Sequence, residues 1–92
     1  MPDRAAHFKR EALPDPLSYF EGLGVRLIGR GPWRSTLCPF HDDHHPSLRV
    51  NVDSGAFRCM ACGAKGGDVL DFHRQQYALG FKEAAQALGA WR

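Results

Sequence analysis

The first two thirds of the chain alternate apolar and polar positions in four short segments. These segments lie at residues 25–28, 33–37, 47–52 and 56–60, and each is bounded by glycine, proline, aspartate or other turn formers. A period of two over so few residues is typical of half-buried strands. The pattern predicts an antiparallel sheet of about three to five short strands, with a hairpin turn at Asp53, Ser54 and Gly55.

After Gly67 the apolar period changes to about 3.6 residues, which is the period of a helix. Asp68 is placed either as the N-cap or as a first-turn acid of this helix, whose apolar positions run from Val69 to Leu79. A second short helix is predicted from Phe81 to Leu88. Before the sheet, Asp15 and Pro16 form a cap and first-turn pair that predicts another short helix up to Leu23.

The extent of these patterns along the chain predicts one folded domain that follows a short leader. Residues 1–14 are charged, contain prolines and have no sustained apolar stripe, so they are predicted to be a flexible leader with at most one helical turn. Residues 15–92 are predicted to be the folded domain. The expected fold class is small α+β, with the antiparallel sheet flanked by short helices.

Composition narrows the class of protein further. The chain has 92 residues, and a domain of this size buries only about 60% of the surface of its unfolded chain, so a metal or covalent staple would help it fold. It contains no apolar run of about 18 residues, and we expect a cytoplasmic protein with no membrane partner. The net charge of +2 permits a nucleic-acid partner without requiring one.

Candidate chemistry is concentrated between Cys38 and Cys62. Cys38 and His41 are separated by two residues, as are Cys59 and Cys62. Two such pairs can meet on one ion when the chain between them folds as a hairpin. Thiolate and imidazole ligands favour zinc, and four protein ligands leave no open position for water. We therefore expect one structural Zn²⁺ and no catalytic residues.

Two alternatives bear on this site. A Cys-x-x-Cys pair also occurs in disulfide oxidoreductases, but such a motif would not need Cys38 and His41. His44 and His45 lie in the same loop as His41 and could replace it, although the two-residue spacing favours His41. Asp42 and Asp43 are oxygen donors, which are poor companions for thiolates in a structural site.

The string CPFHDDHHPSLRVN, followed by FRCMACGAKGGDVLDF, resembles the zinc-binding domain of bacterial DnaG-type DNA primases. The resemblance is strong over residues 37–72 and weaker before Gly31. It implies a zinc ribbon that contacts single-stranded DNA template during RNA primer synthesis in replication. It also implies partners: a polymerase domain or subunit and, in a primosome, the replicative helicase. The sequence departs from the family at Leu48, where Phe is usual, and at His44, where a basic residue is usual.

Arginine and aromatic residues of the predicted sheet are candidates for DNA contacts. Cations follow phosphates, and aromatic rings stack on unpaired bases. The candidates are Trp33, Arg34, Arg49, Arg58 and Lys65. Strand alternation places Arg49 on the face opposite to Leu48 and Val50. The same alternation favours Phe57 as a core residue.

The sequence contains no carboxylate cluster for nucleotidyl transfer beyond the adjacent Asp42 and Asp43. Whether the chain is itself an enzyme is left open: it resembles part of a primase system without the catalytic domain. We expect either a fragment of a longer primase or a standalone ribbon of a phage or mobile element. The alternative function is a protein-interaction module that docks on a polymerase or helicase, with DNA binding incidental.

Overall fold

A computed structural model describes residues 4–41 and 44–92 of the chain. The strands are β1 (Trp33–Thr36), β2 (Leu48–Asn51), β3 (Phe57–Cys59) and β4 (Lys65–Gly66). The helices are α1 (Arg4–His7), α2 (Pro16–Gly22), α3 (Val69–Tyr77) and α4 (Phe81–Ala87), with a 3-10 helix at Arg10–Ala12. The predicted α+β class, with a short antiparallel sheet and flanking helices, is confirmed.

The four strands form one antiparallel sheet in the order of the sequence. Residues that lie directly opposite each other share a face, so the register defines two faces. Thr36, Leu48 and Cys59 stand in one buried row across the sheet. The next row, which begins at Ser35 and continues through Arg49 and Arg58, lies on the other face. The alternation in the sequence thus predicted which side of β2 is buried.

The hairpin between β2 and β3 turns where the sequence indicated. Asn51 N donates to Ala56 O at 2.7 Å, and Gly55 N donates to Asn51 O at 2.8 Å. Gly55 has a φ of +83°, and a Cβ at this position would lie 2.9 Å from Val69 N. Only glycine therefore fits the turn without displacing the start of α3.

The sheet packs against α2 and α3 to form a first core. Its buried members are Phe20, Cys38, Leu48, Val50, Phe57, Cys59, Val69 and Phe72. Phe72 lies at its centre, with ring centroids 5.2 Å from Phe20, 5.2 Å from Phe40 and 5.0 Å from Phe57. Phe57 is 2% exposed, so it is a core residue, as predicted.

The two helices after the sheet form a second core with the ends of the chain. Leu70, Ala84 and Ala85 are buried there, and Phe8, Leu13, Phe81, Leu88 and Trp91 pack around them. Lys9 N donates to Ala90 O at 2.7 Å, and Arg92 N donates to His7 O at 2.8 Å. Residues 7–13 thus contact the folded domain. The flexibility of residues 1–14 and the domain boundary at residue 15 stay predictions.

The helix caps follow the sequence signals. Asp15 Oδ2 accepts a hydrogen bond from Ser18 N at 3.1 Å at the start of α2. Asp68 Oδ1 accepts one from Asp71 N at 2.9 Å at the start of α3, and Asp68 Oδ2 also pairs with Arg10 Nη1 at 2.8 Å. Carboxylates at these positions satisfy free backbone N–H groups and suit the helix dipole.

The strand predicted at residues 25–28 is reduced to one pair. Ile28 exchanges both backbone hydrogen bonds with Ser35, at 2.7 and 2.9 Å, but the segment does not continue as a strand. Gly24 and Gly29 on either side have φ values of +78° and +116°, which turn the chain away from the sheet. The fourth strand is instead Lys65–Gly66, which is too short for an alternation pattern to predict. Among the described residues, no helix is long and apolar enough to span a bilayer.

Candidate metal centre and sheet face

Two turns bring four potential metal ligands together at one end of the first core. Cys38 and His41 follow β1, while Cys59 ends β3 and Cys62 lies in the turn after it. One ligand atom from each of the four residues lies within 4.8 Å of all the others. The pairs Cys38/His41 and Cys59/Cys62, which the sequence placed in one set, therefore converge on a single point.

The second turn has the tight geometry that a two-residue spacing requires. Cys59 N donates to Ala64 O at 2.7 Å, and Gly63 N donates to Cys59 O at 3.0 Å. Gly63 has a φ of +81°, which reverses the chain after Cys62. Cys62 N also points at the Cys59 sulfur, 3.4 Å away, so the backbone supplies a donor to this thiolate.

The distances fit a tetrahedral zinc ion. Zn–S bonds of about 2.3 Å and a Zn–N bond of about 2.0 Å place two sulfurs about 3.8 Å apart and a sulfur and nitrogen about 3.5 Å apart. Cys38 Sγ lies 3.8 Å from Cys62 Sγ, and Cys59 Sγ lies 3.4 Å from His41 Nε2. The donor set and its spacing thus suit zinc.

The two buried thiols differ in their tendency to ionise. Burial raises the pKa of the Cys38 thiol to about 12. Burial also opposes ionisation of Cys59, but hydrogen bonds from the Cys62 backbone and the Ser47 hydroxyl outweigh it and lower the pKa of Cys59 to about 5. Ser47 Oγ lies 3.5 Å from Cys59 Sγ. The surroundings therefore favour the thiolate form at Cys59 and the thiol form at Cys38.

The other candidate ligands lie elsewhere or outside the described residues. His44 and His45 are exposed, and neither belongs to the cluster. Asp42 and Asp43 are outside the described residues. Within residues 4–41 and 44–92, no second group of histidine, cysteine or carboxylate side chains converges in this way.

The exposed face of the sheet carries a row of cations, which we call the basic row: Arg49, Arg58 and Lys65. Arg49 lies directly opposite Arg58, and Arg58 lies directly opposite Lys65. All three residues are exposed, and within the described part of the chain none of their side chains forms an ion pair. The row is therefore a concentration of positive charge without acidic partners among the described residues. Like charges directly opposite each other also destabilise a sheet.

The remaining two DNA-contact candidates do not lie in this row. Trp33 is 43% exposed and lies opposite Asn51, which is two residues along β2 from Arg49 and therefore on the same face. Arg34 lies opposite Val50, in register with the buried face, and its Nε donates to Gly31 O at 3.2 Å. The structure thus brings Arg49, Arg58 and Lys65 together, places Trp33 beside them and separates Arg34 from them.

Sequence reasoning missed two features of this region. The hydroxyl of Ser47 beside Cys59 gave no signal of its own, because a serine after proline reads as an ordinary turn residue. The second was the half-exposed pair Ile28 and Leu37, at 47% and 50% exposure, which strand alternation had assigned to ordinary strand positions.

Comparison with known protein families gives one match over most of the chain. A family model for the DnaG zinc ribbon, described as a CHC2 zinc finger, matches residues 22–91. The matched region contains all four potential metal ligands, the whole sheet and the helices α3 and α4.

Several relatives are similar in sequence. A DNA primase of Streptomyces coelicolor is 38% identical over 79 residues, which are 86% of this chain and 12% of that protein. A DNA primase of Staphylococcus aureus is 40% identical over 65 residues, which are 71% of this chain and 11% of the relative. The Gene 58 protein of Mycobacterium phage D29 is 43% identical over 54 residues, which are 59% of this chain and 41% of the phage protein.

One solved structure is similar in fold. The crystal structure of the Aquifex aeolicus primase, which contains zinc-binding and RNA polymerase domains, superposes with a TM-score of 0.70 at 30% identity. The superposition covers 83% of this chain and 18% of that one. The chain therefore spans less than half the length of each of these relatives.

Proposed function

Because the chain belongs to the CHC2 zinc finger family of DnaG-type primase zinc ribbons, we propose that it contacts single-stranded template DNA during primer synthesis. Membership of the primase family supports a role in primer synthesis, and the basic row is the proposed surface for DNA contact. Zinc holds the sheet in shape but takes no part in binding DNA. Each of these parts rests on different residues.

One zinc ion is held by Cys38, His41, Cys59 and Cys62. When bound, the ion would fix the turns after β1 and β3 relative to each other. Four protein ligands leave no coordination position for water or substrate, so the role of the metal is structural. Burial favours the thiol of Cys38, so zinc binding would require this residue to release its proton to solvent.

The observation that carries the DNA-binding proposal is the absence of any ion pair on the basic row among the described residues. Two basic residues outside the row have acidic partners: Arg10 pairs with Asp68, and Arg74 lies 3.7 Å from Asp71. Arg49, Arg58 and Lys65 instead stand side by side across three strands, spaced about 4.8 Å apart. A phosphate chain laid across the strands would neutralise this charge and release counterions.

Exposed apolar side chains near the row favour a single strand over a duplex. Trp33 is 43% exposed, and Met60 is 67% exposed in the turn after β3. Unpaired bases have free faces that can stack on such groups, whereas the bases of a duplex are already stacked on each other. Among the five sequence candidates, we assign direct contacts to Arg49, Arg58, Lys65 and Trp33, with Arg34 supporting the turn at Gly31.

Nucleotidyl transfer itself is assigned to a separate polymerase domain or subunit. The described residues contain no carboxylate cluster that could hold two catalytic metal ions. The Aquifex aeolicus structure contains an RNA polymerase domain together with its zinc-binding domain, which supports a polymerase partner for this chain. A replicative helicase is a further proposed partner in a primosome.

Salt-dependent binding to a labelled single-stranded oligonucleotide tests the DNA-binding proposal. Replacing Arg49 and Arg58 together by alanine should weaken binding and reduce the slope of log K against log salt by about 1.4, since each phosphate contact to a single strand contributes about 0.7. Lys82→Ala, which removes an exposed cation from α4 rather than from the sheet, is the matched control and should leave the slope unchanged.

The outcomes separate two functions. An unchanged slope in the double variant would place DNA on another surface. No salt-dependent binding by the unaltered, zinc-loaded chain would overturn the proposal and favour the protein-interaction module, which exposed Met60 and Leu37 could serve. Thermal melts of both variants control for folding, and neither substitution removes a buried side chain.

A further inference from the structure

A cleft opens at the outer edge of β1, beside the metal centre. It has a volume of about 500 Å³, and its lining includes Val25, Arg26, Ile28, Leu37 and Pro46. Ile28 and Leu37 are both large apolar residues, and they remain 47% and 50% exposed. The volume lies in the range of small-molecule sites, about 300 to 1,000 Å³, and the lining is predominantly apolar, as such sites are.

The register of the sheet connects this cleft to the basic row. Lys65 lies opposite Arg58, Arg58 opposite Arg49, and Arg49 opposite Ser35. Ser35 in turn lies opposite Ile28 through the isolated antiparallel bridge. Because directly opposite residues share a face, Ile28 continues the basic row on the same side of the sheet. At about 4.8 Å per strand, Ile28 lies about 10 Å from Arg49 and about 19 Å from Lys65.

We propose that this cleft accepts an unpaired nucleobase of the single strand whose phosphates lie along the basic row. The inference rests on the proposed function and adds a second contact site to it. A flat ring with apolar faces suits Ile28 and Leu37, and the guanidinium of Arg26 can stack on a base or meet its phosphate.

The charge around the cleft favours this occupant over an apolar segment of a partner protein. Three cations lead to the cleft along one face, and a fourth, Arg26, lines it. Single-stranded nucleic acid joins anionic groups to apolar rings at short regular spacing, so one ligand matches both parts of the surface. A purely apolar peptide would leave the adjacent cations without partners.

Nuclear magnetic resonance on the zinc-loaded chain can separate bases from phosphates. The probes are an octathymidylate and an abasic oligomer of the same length, which carries the phosphates and sugars without the bases. Both oligomers should shift the backbone amides of Arg49 and Arg58. Only the octathymidylate should shift the side-chain methyl groups of Ile28 and Leu37.

Variants give an independent measure. Ile28→Ala with Leu37→Ala should weaken octathymidylate binding about tenfold, because two apolar contacts with one base are lost, and leave the salt slope unchanged. Tyr77→Ala, which removes an exposed aromatic residue at the end of α3, is the control and should bind as the unaltered chain does.

Each result decides between the two proposals. Amide shifts without methyl shifts, or equal methyl shifts with the abasic oligomer, would overturn the base cleft and leave DNA binding intact. No shift in either region at low salt would overturn the proposed function itself. Methyl shifts caused by a primase polymerase domain, but not by the octathymidylate, would identify the cleft as a protein-docking site and also overturn the inference.

Discussion

The two cores of this small domain are stabilised in different ways. The first core contains two of the potential zinc ligands, Cys38 and Cys59, and is closed on one side by the sheet. Among the described residues, the buried members of the second core are Leu70, Ala84 and Ala85, and residues near both ends of the chain, such as Phe8 and Trp91, close it. One core thus contains potential metal ligands, and the other is built by close packing between small residues.

This difference means that the residues of the buried core are not the residues proposed to bind DNA. In the first core, the buried face of the sheet packs against α2 and α3, whereas the opposite face is exposed at Arg49, Arg58 and Lys65. That free face carries the basic row and leads to the cleft. Beside the second core, charged side chains pair with each other, as Arg10 does with Asp68 at the start of α3. Binding is therefore proposed for the end of the molecule that contains the four potential metal ligands.

Removal of zinc should have the largest effect. Binding of structural zinc contributes about 10 to 16 kcal/mol in small zinc-finger peptides, more than the total stability of most domains. Because α3 contributes Val69 and Phe72 to the first core, loss of that core should also release the second one. Chelation should abolish the cooperative thermal melt followed by circular dichroism, and added zinc should restore it.

Two outcomes would change the comparison between the cores. A melt that is unaffected by chelation would contradict a structural role for the metal. Retention of the helical signal alone, with loss of the sheet, would show that the second core folds independently. Cys62→Ser provides a check that does not need a chelator, since it removes one ligand that lies at the surface.

Truncation of two neighbouring residues of α3 compares the cores directly. Phe72 is buried at 1% exposure in the first core, and Leu70 is buried at 2% in the second. Phe72→Ala should cost about 3 to 5 kcal/mol and Leu70→Ala about 2 to 5 kcal/mol, because each leaves a cavity. Denaturant unfolding of the zinc-loaded proteins measures both.

Zinc retention distinguishes these two variants. Phe72 packs against Phe40, which lies between Cys38 and His41, so Phe72→Ala should also speed transfer of zinc to a chelating dye. Leu70→Ala should lower stability without changing that transfer rate in the folded state. Equal rates for the two variants would mean that the two cores are not separate with respect to the metal.

Two adjacent glycines give a smaller, matched comparison in the connection between β4 and α3. A Cβ on Gly66 would lie 2.5 Å from Phe57 Cε1 and 2.7 Å from Asp71 Cβ. On Gly67 the nearest contact would be Asp71 Oδ2 at 3.9 Å. Gly66→Ala should therefore cost about 1 to 3 kcal/mol through overpacking, while Gly67→Ala should cost less than about 1 kcal/mol. Similar melting temperatures for the two variants would contradict this close approach.

Most of the fold could be predicted because its signals are local. The caps at Asp15 and Asp68, the glycine turn at Gly55 and the alternation in β2 each depend on neighbours within a few residues. The metal set was also predictable, because two pairs with the same spacing form a set of four ligands without knowledge of the path between them. The arrangement of Arg49 and Arg58 followed once the hairpin register was known.

The rest of the fold could not be predicted, because it depends on contacts between residues that are distant in sequence. The strand at Lys65–Gly66 exists because it pairs with Phe57 and Arg58, and two residues carry no periodicity of their own. The contact between Lys9 and Ala90 joins the two ends of the chain, which no local pattern indicates. Arg34 shows the same limit, because its face is set by pairing with Val50 and not by its own residue type.

The smallest predicted effect is a pH dependence at His73, where α2 meets α3. The Tyr19 hydroxyl lies 2.8 Å from His73 Nδ1, and the Tyr77 ring packs on the other side with a centroid distance of 4.7 Å. Burial lowers the pKa of His73, because it disfavours the imidazolium form. The unfolded chain therefore takes up this proton at a higher pH than the folded chain does.

The stability that neutral His73 contributes is fully present above about pH 6.5 and is lost as the pH falls through its folded-state pKa. As the pH is lowered from about 7.5 to 5.5, the free energy of unfolding should fall less steeply in His73→Gln than in the unaltered chain. Tyr19→Phe is the control: it should cost about 1 kcal/mol at neutral pH through loss of a hydrogen bond, yet keep the pH dependence, because burial and not the hydroxyl causes the shift. Residue 73 is the one titratable position that differs between His73→Gln and the unaltered chain, so the difference between these two curves isolates His73. Parallel curves for His73→Gln and the unaltered chain would show that His73 is not desolvated, and that the contact between α2 and α3 is as open to water as the sheet face.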